Sequence, residues 1–170
     1  MRQHVVSVLV ENRAGTLSRV SGLFSRRGYN IDSLTVGVTD DPSISRMTIA
    51  VNGTGEKSDK QILEQIVKQL SKLVDVIAVK KLDGDSSLRR EIMLVKIGVG
   101  EKERPAVLEI AGIFRARIVD VSPVTITVEA TGSLDKLNGL LLLLRPYGIL
   151  ELARTGMVAL ERGNNVLSVH

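Results

Sequence analysis

Two asparagines and a glycine bracket the first helical stretch of the chain. Asn12 and Gly15 precede it and Asn30 follows it, within the segment ENRAGTLSRVSGLFSRRGYNIDSL that runs from Glu11 to Leu34. An asparagine side chain offers a carbonyl acceptor and two N–H donors, so a pair can meet both the ammonium and the carboxylate of a free amino acid. Gly15 stands where the unpaired N–H groups and partial positive charge of a helix N-terminus suit a carboxylate. Having no Cβ, it allows close approach. Leu9, Leu17, Ile31 and Leu34 supply an aliphatic wall, and the set fits an amino acid with a small branched side chain. A strand–Asn/Gly–helix connection is more often plain turn chemistry, and these residues alone do not decide for binding.

Other chemistries find less support. The two histidines, His4 and His170, lie at opposite ends of the sequence without metal-ligand spacing. There is no cysteine, hence no thiolate nucleophile and no disulfide framework. No serine occupies a nucleophile elbow. The adjacent acids Asp40 and Asp41 sit beside Pro42 as turn formers, and Gly53-Thr54-Gly55 lacks the Gly-Lys-Ser/Thr of a phosphate-binding loop. No catalytic constellation and no metal or cofactor site emerges.

The formal charge of +4 over 170 residues raises nucleic acid as a partner. The basic residues, however, come as short pairs such as Arg26-Arg27, Lys80-Lys81 and Arg89-Arg90, interleaved with acids. Aromatic content is 2%, too little for base-stacking platforms, whereas a hydrophobic content of 44% suffices for aliphatic cores. The N-terminal apolar run is too short for a secretory leader, and Leu140 to Leu144 is far below a membrane span. The expectation is a soluble cytoplasmic chain with no nucleic-acid and no membrane partner.

The elements that must position the bracket follow from periodicity. Val5 to Val10 is a near-continuous β-branched run, as in a central buried strand. A helix follows, with Leu17, Val20, Leu23 and Phe24 as its apolar face. Leu34, Val36 and Val38 then alternate with polar or small residues, as do Met47, Ile49 and Val51 across the turn Thr39–Ser43, which makes a hairpin. Asn52-Gly53-Thr54-Gly55 breaks the chain. Ser58 and Gln61 have the form of a capping box before a helix bearing Ile62, Leu63, Ile66, Val67, Leu70 and Leu73. Asp75 to Leu82 closes the unit as a strand. This β-α-β-β-α-β order predicts a ferredoxin-like domain over residues 1–82, with both helices on one face of an antiparallel sheet and the other face free.

Residues 83–88 form a polar linker, and 89–170 repeat the order: strand Glu91–Val99, a helix after Pro105, strands around Ile118–Val121 and Val124–Val128, a helix opened by Ser133 with Leu134, Leu137, Leu141 and Leu144, and one or two final strands interrupted near Gly156. Shifting Gly15–Ile31 by ninety positions pairs Leu17 with Val107, Val20 with Ile110, Leu23 with Ile113 and Phe24 with Phe114. Asn12 has no amide counterpart and Asn30 meets Asp120. The fold class is therefore α+β, two tandem ferredoxin-like (βαββαβ) domains with antiparallel sheets, of which only the first carries the polar bracket.

The segments LVENRAGTLSRVSGLFSRRGYNIDSLTV, TDDPSISRMTIAV, KQLSKLVDVIAV, REIMLVKI, IFRARIVDVSP and LLRPYGILELARTGMVALERG resemble, in order and over nearly the whole chain, the regulatory (small) subunit family of acetohydroxyacid synthase, also called acetolactate synthase. The first half is also similar to the wider ACT-domain family of amino-acid sensors. The resemblance implies a non-catalytic chain that activates a catalytic large subunit and confers feedback inhibition by valine. It implies a homodimer through the ACT domains, no cofactor in this chain, and thiamine diphosphate, Mg and FAD in the partner. Carried onto matching positions, the family's effector site comprises Asn12, Ala14, Gly15, Thr16 and Leu17 from one chain, and Asn30 and Ile31 with Leu34 from its neighbour. Arg13 and Ala14 fall where ACT loops vary, and Ser18 sits just inside the helix. Val124 departs from the polar residue expected after Pro123. Two other classes share the element order: a stand-alone amino-acid sensor with another partner, and an RNA-binding module, whose stacking aromatics the strands HVVSVLV and SRMTIAV lack.

Overall fold

The computed structural model describes residues 3–52 and 58–168. In chain order its elements are β1 (Gln3–Glu11), α1 (Thr16–Arg26), β2 (Ser33–Val38), β3 (Ile44–Asn52), α2 (Ser58–Leu70), β4 (Val76–Leu82), β5 (Ser87–Gly98), α3 (Arg104–Ile113), β6 (Arg117–Val121), β7 (Thr125–Gly132), α4 (Leu134–Leu144), a 3₁₀ turn (Arg145–Tyr147), β8 (Ile149–Arg154) and β9 (Val158–Glu161). Two antiparallel sheets have strand orders β2-β3-β1-β4 and β6-β7-β5-β8, the same permutation twice. The α+β class and the duplicated scaffold expected from periodicity are both present. The expected break at Gly53–Gly55, the side chain of the proposed cap Ser58, and His170 lie outside what is described.

The chain divides into two compact units, one built from Met1–Leu88 with Met157–His170 and the other from Arg89–Gly156. The residues from Met157 on, expected in the second domain, group with the first unit. The expected linker 83–88 is a turn over residues 84–86, followed directly by the first residues of β5.

In the first unit, α1 and α2 pack on one sheet face. Val20, Leu23 and Phe24 of α1 and Leu63, Ile66 and Leu70 of α2 meet Val6, Val8 and Val10 of β1 and Met47, Ile49 and Val51 of β3. Because strand side chains alternate, the odd-numbered residues of β1 face the other way. That second face is not free as expected. Val5, Ala50 and Leu82 form a separate buried cluster with Met157 and Ala159 of the C-terminal segment. The continuous apolar run of β1 thus serves two cores, the usual reason for such a run in a central strand. In the second unit, α3 and α4 cover Met93, Val95 and Ile97 of β5 and Ile126, Val128 and Ala130 of β7, with Leu137, Leu140, Leu141 and Leu144 supplying most of the helical side.

The repeat is real, but its register differs from the ninety-position shift. Gly28 N donates to Ser25 O and Tyr29 N to Phe24 O at the end of α1, as Arg115 N does to Gly112 O and Ala116 N to Ala111 O at the end of α3. Tyr29 and Ala116 therefore correspond, eighty-seven positions apart. In that register buried Val20 matches buried Val107 and Phe24 matches Ala111. The shift of ninety would match Leu17, 45% exposed, with fully buried Val107. A helix repeats its apolar face every three or four residues, so a shift three positions off still aligns leucines with valines. Arg115, with φ 52, takes the left-handed place that Gly28 holds with φ 71.

Candidate functional site

The loop between β1 and α1 is fixed from two sides. Glu11 N donates to Asp75 O at 2.8 Å, and Asn12 N donates to Ser43 O at 2.7 Å. Asn12 Nδ2 also donates to Pro42 O at 2.9 Å. One of the two amide hydrogens assigned to ligand recognition is therefore engaged in holding the β2–β3 turn against the loop, and the acceptor Oδ1 is the main capacity left. The turn is stiffened by Asp41, whose Oδ1 accepts from Ser43 N at 2.8 Å and Ser43 Oγ at 2.6 Å. The Ser43 hydroxyl, and then its amide, hold the Asp41 carboxyl below its ordinary range. That is structural work, in keeping with the turn role expected of Asp40 and Asp41.

Past Asn12 the backbone tightens. Arg13 N donates to Glu11 O and Thr16 N to Arg13 O, while the Arg13 guanidinium pairs with Glu11 at 3.2 Å in solvent. Gly15 then caps α1 with φ 85, a left-handed conformation that glycine adopts without cost. Arg19 N donates to Gly15 O, whereas the intervening amides of Leu17 and Ser18 find no backbone acceptor among the described residues. No acidic residue occupies the first turn. Thr16 is 2% exposed and its hydroxyl has no partner among the described residues. Ala14, Gly15, Leu17 and Ser18 are exposed. This is an exposed, electropositive backbone feature with donors that no side chain of its own turn satisfies.

Sequence reasoning missed the cation beside it. A Cβ on Gly15 would lie 3.1 Å from Arg19 Nη1, so the guanidinium hangs over the cap. Arg19 Nε also pairs with Asp75, whose carboxylate is nearly buried, and that hydrogen bond raises the Arg19 pKa further above its ordinary value. The arginine four residues past a capping glycine was visible in the sequence; its partner fifty-six residues away was not.

The remaining predicted residues lie elsewhere. Asn30 Nδ2 donates to Asp32 Oδ1 at 3.3 Å, and Asp32 N donates to Ala50 O at 2.9 Å, which fixes this end of β2 at the Val5 end of the sheet. Asn12 stands at the Glu11 end. The eleven residues of α1 between the asparagines span roughly 16 Å at the α-helical rise. Measured along β1 from Val5 to Glu11, the separation is about 20 Å. One protomer cannot bring both amides to one free amino acid. Asn12, Ala14, Gly15, Thr16 and Leu17 form one cluster, Asn30 and Ile31 the other, with Leu34 on β2 near the latter. Ile31 and Leu34 are half-buried against the helix-side core. Leu9 is a correction to the proposed wall: it is buried on the opposite face of the sheet, paired with Arg46 and Ala78, and it cannot line a pocket with Leu17.

The second unit uses the equivalent place differently. Val99 N donates to Val124 O, as Asn12 N does to Ser43 O, but Arg104 fills the corner and donates to Ser122 O and Pro123 O, both at 2.8 Å. The unexpected Val124 sits in a turn held by Ser122, whose hydroxyl accepts from the amides of Val124 and Thr125. The aromatics Phe24, Tyr29, Phe114 and Tyr147 all pack in or against the two cores. No cluster of three or more potential metal ligands occurs among the described residues. Among them, too, no helix is long and apolar enough to cross a membrane.

Two family models match the chain: "AHAS small subunit-like ACT domain" over residues 6–78 and "Small subunit of acetolactate synthase" over residues 90–163. The acetolactate synthase isozyme 3 small subunit of Salmonella typhimurium is 50% identical over 166 residues, covering 97% of this chain and 99% of that one. The acetolactate synthase small subunit of Mycobacterium bovis is 48% identical over 162 residues, 95% of this chain and 94% of its own. The crystal structure of the acetolactate synthase small subunit from Thermotoga maritima superposes with a TM-score of 0.86 at 38% identity, covering 97% of this chain and all of that one.

Proposed function

The chain belongs to the family of acetolactate synthase small subunits, and from that premise we propose that it is a non-catalytic regulatory subunit acting in branched-chain amino-acid biosynthesis. It activates a catalytic large subunit and makes that subunit subject to feedback inhibition by valine. Thiamine diphosphate, Mg and FAD are held by the partner, and the complex works in the cytoplasm.

The observation that carries the valine reading is the first turn of α1. Its capping glycine, acceptor-free amides and lack of acids suit an α-carboxylate, and the remaining Asn12 acceptor suits an α-ammonium. The separation of Asn12 from Asn30 makes each protomer half a site, so a homodimer through the ACT domains completes it. The exposed edge strand β2, with Val36 and Val38 bare, provides surface for such pairing. Valine regulates only if it binds one arrangement of the complex better than another. A coupling of roughly 1–3 kcal/mol corresponds to about five- to 150-fold in affinity.

Calorimetry of the purified chain against valine, leucine and isoleucine, with sedimentation in parallel, tests this. Saturable valine binding by a dimer is expected. A chain that activates the catalytic subunit but binds none of the three would refute the effector assignment.

A further inference from the structure

The C-terminal segment Met157–Glu161 returns to the first unit and lies against the strand that begins just after Asn30 and Ile31. Met157 is held by both its main-chain groups: its N–H donates to Ser33 Oγ at 3.3 Å, and its carbonyl accepts from Thr35 Oγ1 at 3.0 Å. Ser33 and Thr35 are two apart on β2 and so share one face of the strand, spaced to clamp a single residue. Leu34, between them, points to the opposite, helix-side core. The Met157 and Ala159 side chains are buried against Val5, Ala50 and Leu82. Lys80 pairs with Glu161 at 2.5 Å, and Arg162 N donates to Ser86 O at 2.8 Å. β9 pairs with β5, whose first residues, Ser87 and Leu88, also belong to the first unit.

The residue before Met157 belongs to the second unit and is fixed just as firmly. Gly156 N donates to the buried Glu91 carboxylate at 3.2 Å, and the same carboxylate takes Arg154 through Nε at 2.9 Å and Nη2 at 2.7 Å. Thr155 N and Oγ1 exchange hydrogen bonds with the Ile92 backbone. The boundary between the units thus falls on one peptide bond, with a clamp to β2 on one side and a clamp to β5 on the other. The grip of β2 on Met157 and that of β5 on Gly156 are joined by the backbone of the chain itself. β2 is an edge strand with one ladder neighbour, β3, and is therefore freer to move than the central strands β1 and β3.

We propose that Ser33 and Thr35 are positioning residues that couple the effector-binding end of β2 to the second unit by gripping Met157, so that effector binding is reported through the C-terminal segment. This rests on the valine reading above for its physiological sense, and it adds a route that reading does not contain. Two variants test it in the full chain: the double substitution S33A/T35V, which removes both grips with little change of shape, and A159R, which forces a long charged side chain into the apolar seat.

With the catalytic subunit added, S33A/T35V is expected to keep activation and to bind valine within about threefold of wild type, while inhibition at saturating valine falls to less than half the wild-type extent. Inhibition equal to wild type would overturn the proposal. So would loss of valine binding in step with inhibition, which would make these residues part of the site. Amide exchange of the chain alone supplies an arm that does not need valine. A159R should speed exchange in both Ser33–Val38 and Arg154–Gly156 by at least tenfold. If β2 exchange is unchanged, the proposal fails even where the chain binds no valine. Absence of valine binding in wild type with coupled exchange intact would instead sink only the effector assignment. Should A159R fail to fold, the single change T35V, which removes one hydroxyl, carries the same comparison.

Discussion

Replacing Gly15 offers the sharpest perturbation of the proposed effector site. Gly15 has φ 85, so any other residue is strained there, by about 1–2 kcal/mol for an ordinary L-residue and less for Asn or Asp. A new Cβ also stands 3.1 Å from Arg19 Nη1, the mobile end of a long side chain that can give way. Both Gly15→Asp and Gly15→Asn should therefore fold, each about 1 kcal/mol less stable than wild type. They differ in charge. An aspartate here puts an anion where the ligand's carboxylate is proposed to bind. Two like charges about 4 Å apart repel by roughly 4 kcal/mol at an effective dielectric of 20, which is close to ~10³-fold in affinity. Exposure of the loop reduces this, and at least a ~100-fold difference between the Asp and Asn variants is expected. Isothermal calorimetry with valine reads the difference, and thermal unfolding checks that both variants are intact. In the complex, the Asp variant should activate normally and escape feedback inhibition. Valine affinities within about threefold of each other would mean that no carboxylate sits at this helix terminus, and the reasoning from its free amides would be refuted.

Two predictions concern the scaffold. Within the leucine run of α4, Leu140 is fully buried and Leu142 is 64% exposed, so Leu140→Ala should cost about 2–5 kcal/mol in urea unfolding and Leu142→Ala less than about 0.5 kcal/mol. Equal costs would show that α4 is rotated from the orientation described. Glu91→Ala leaves Arg154 and Gly156 N without their acceptor; because Arg154 retains some access to water, the loss should be about 2–3 kcal/mol, below the range for a fully buried pair. Glu91→Gln should recover part of it, and an unchanged unfolding midpoint in the alanine variant would remove Glu91 from its place at the unit boundary.

What the sequence determined about this protein is what local chemistry encodes. Alternation of period two in Leu34–Val38 and Met47–Val51, helical spacing in Val20–Phe24 and Leu137–Leu144, and the turn residues Asp41, Gly28 and Gly156 are each set within a few neighbours. They sufficed for the α+β class, the duplication and the glycine-capped helix that starts the candidate site. The helical period also explains the one error of register, since a three-residue slip preserves an apolar face.

Only the tertiary structure decided which distant residues meet. Sheet register brings Pro42 O to Asn12, α2 and β4 bring Asp75 to Arg19, and the returning chain brings Met157 to Ser33 and Thr35. The same register turns Leu9 away from Leu17 and sets Asn12 and Asn30 at opposite ends of α1. A side chain's type announces what it can bond, but its partner depends on strand pairings that close over thirty to more than a hundred residues, and no local period carries that information. The two asparagines that bracket one short segment of the sequence stand in the fold at opposite ends of an eleven-residue helix.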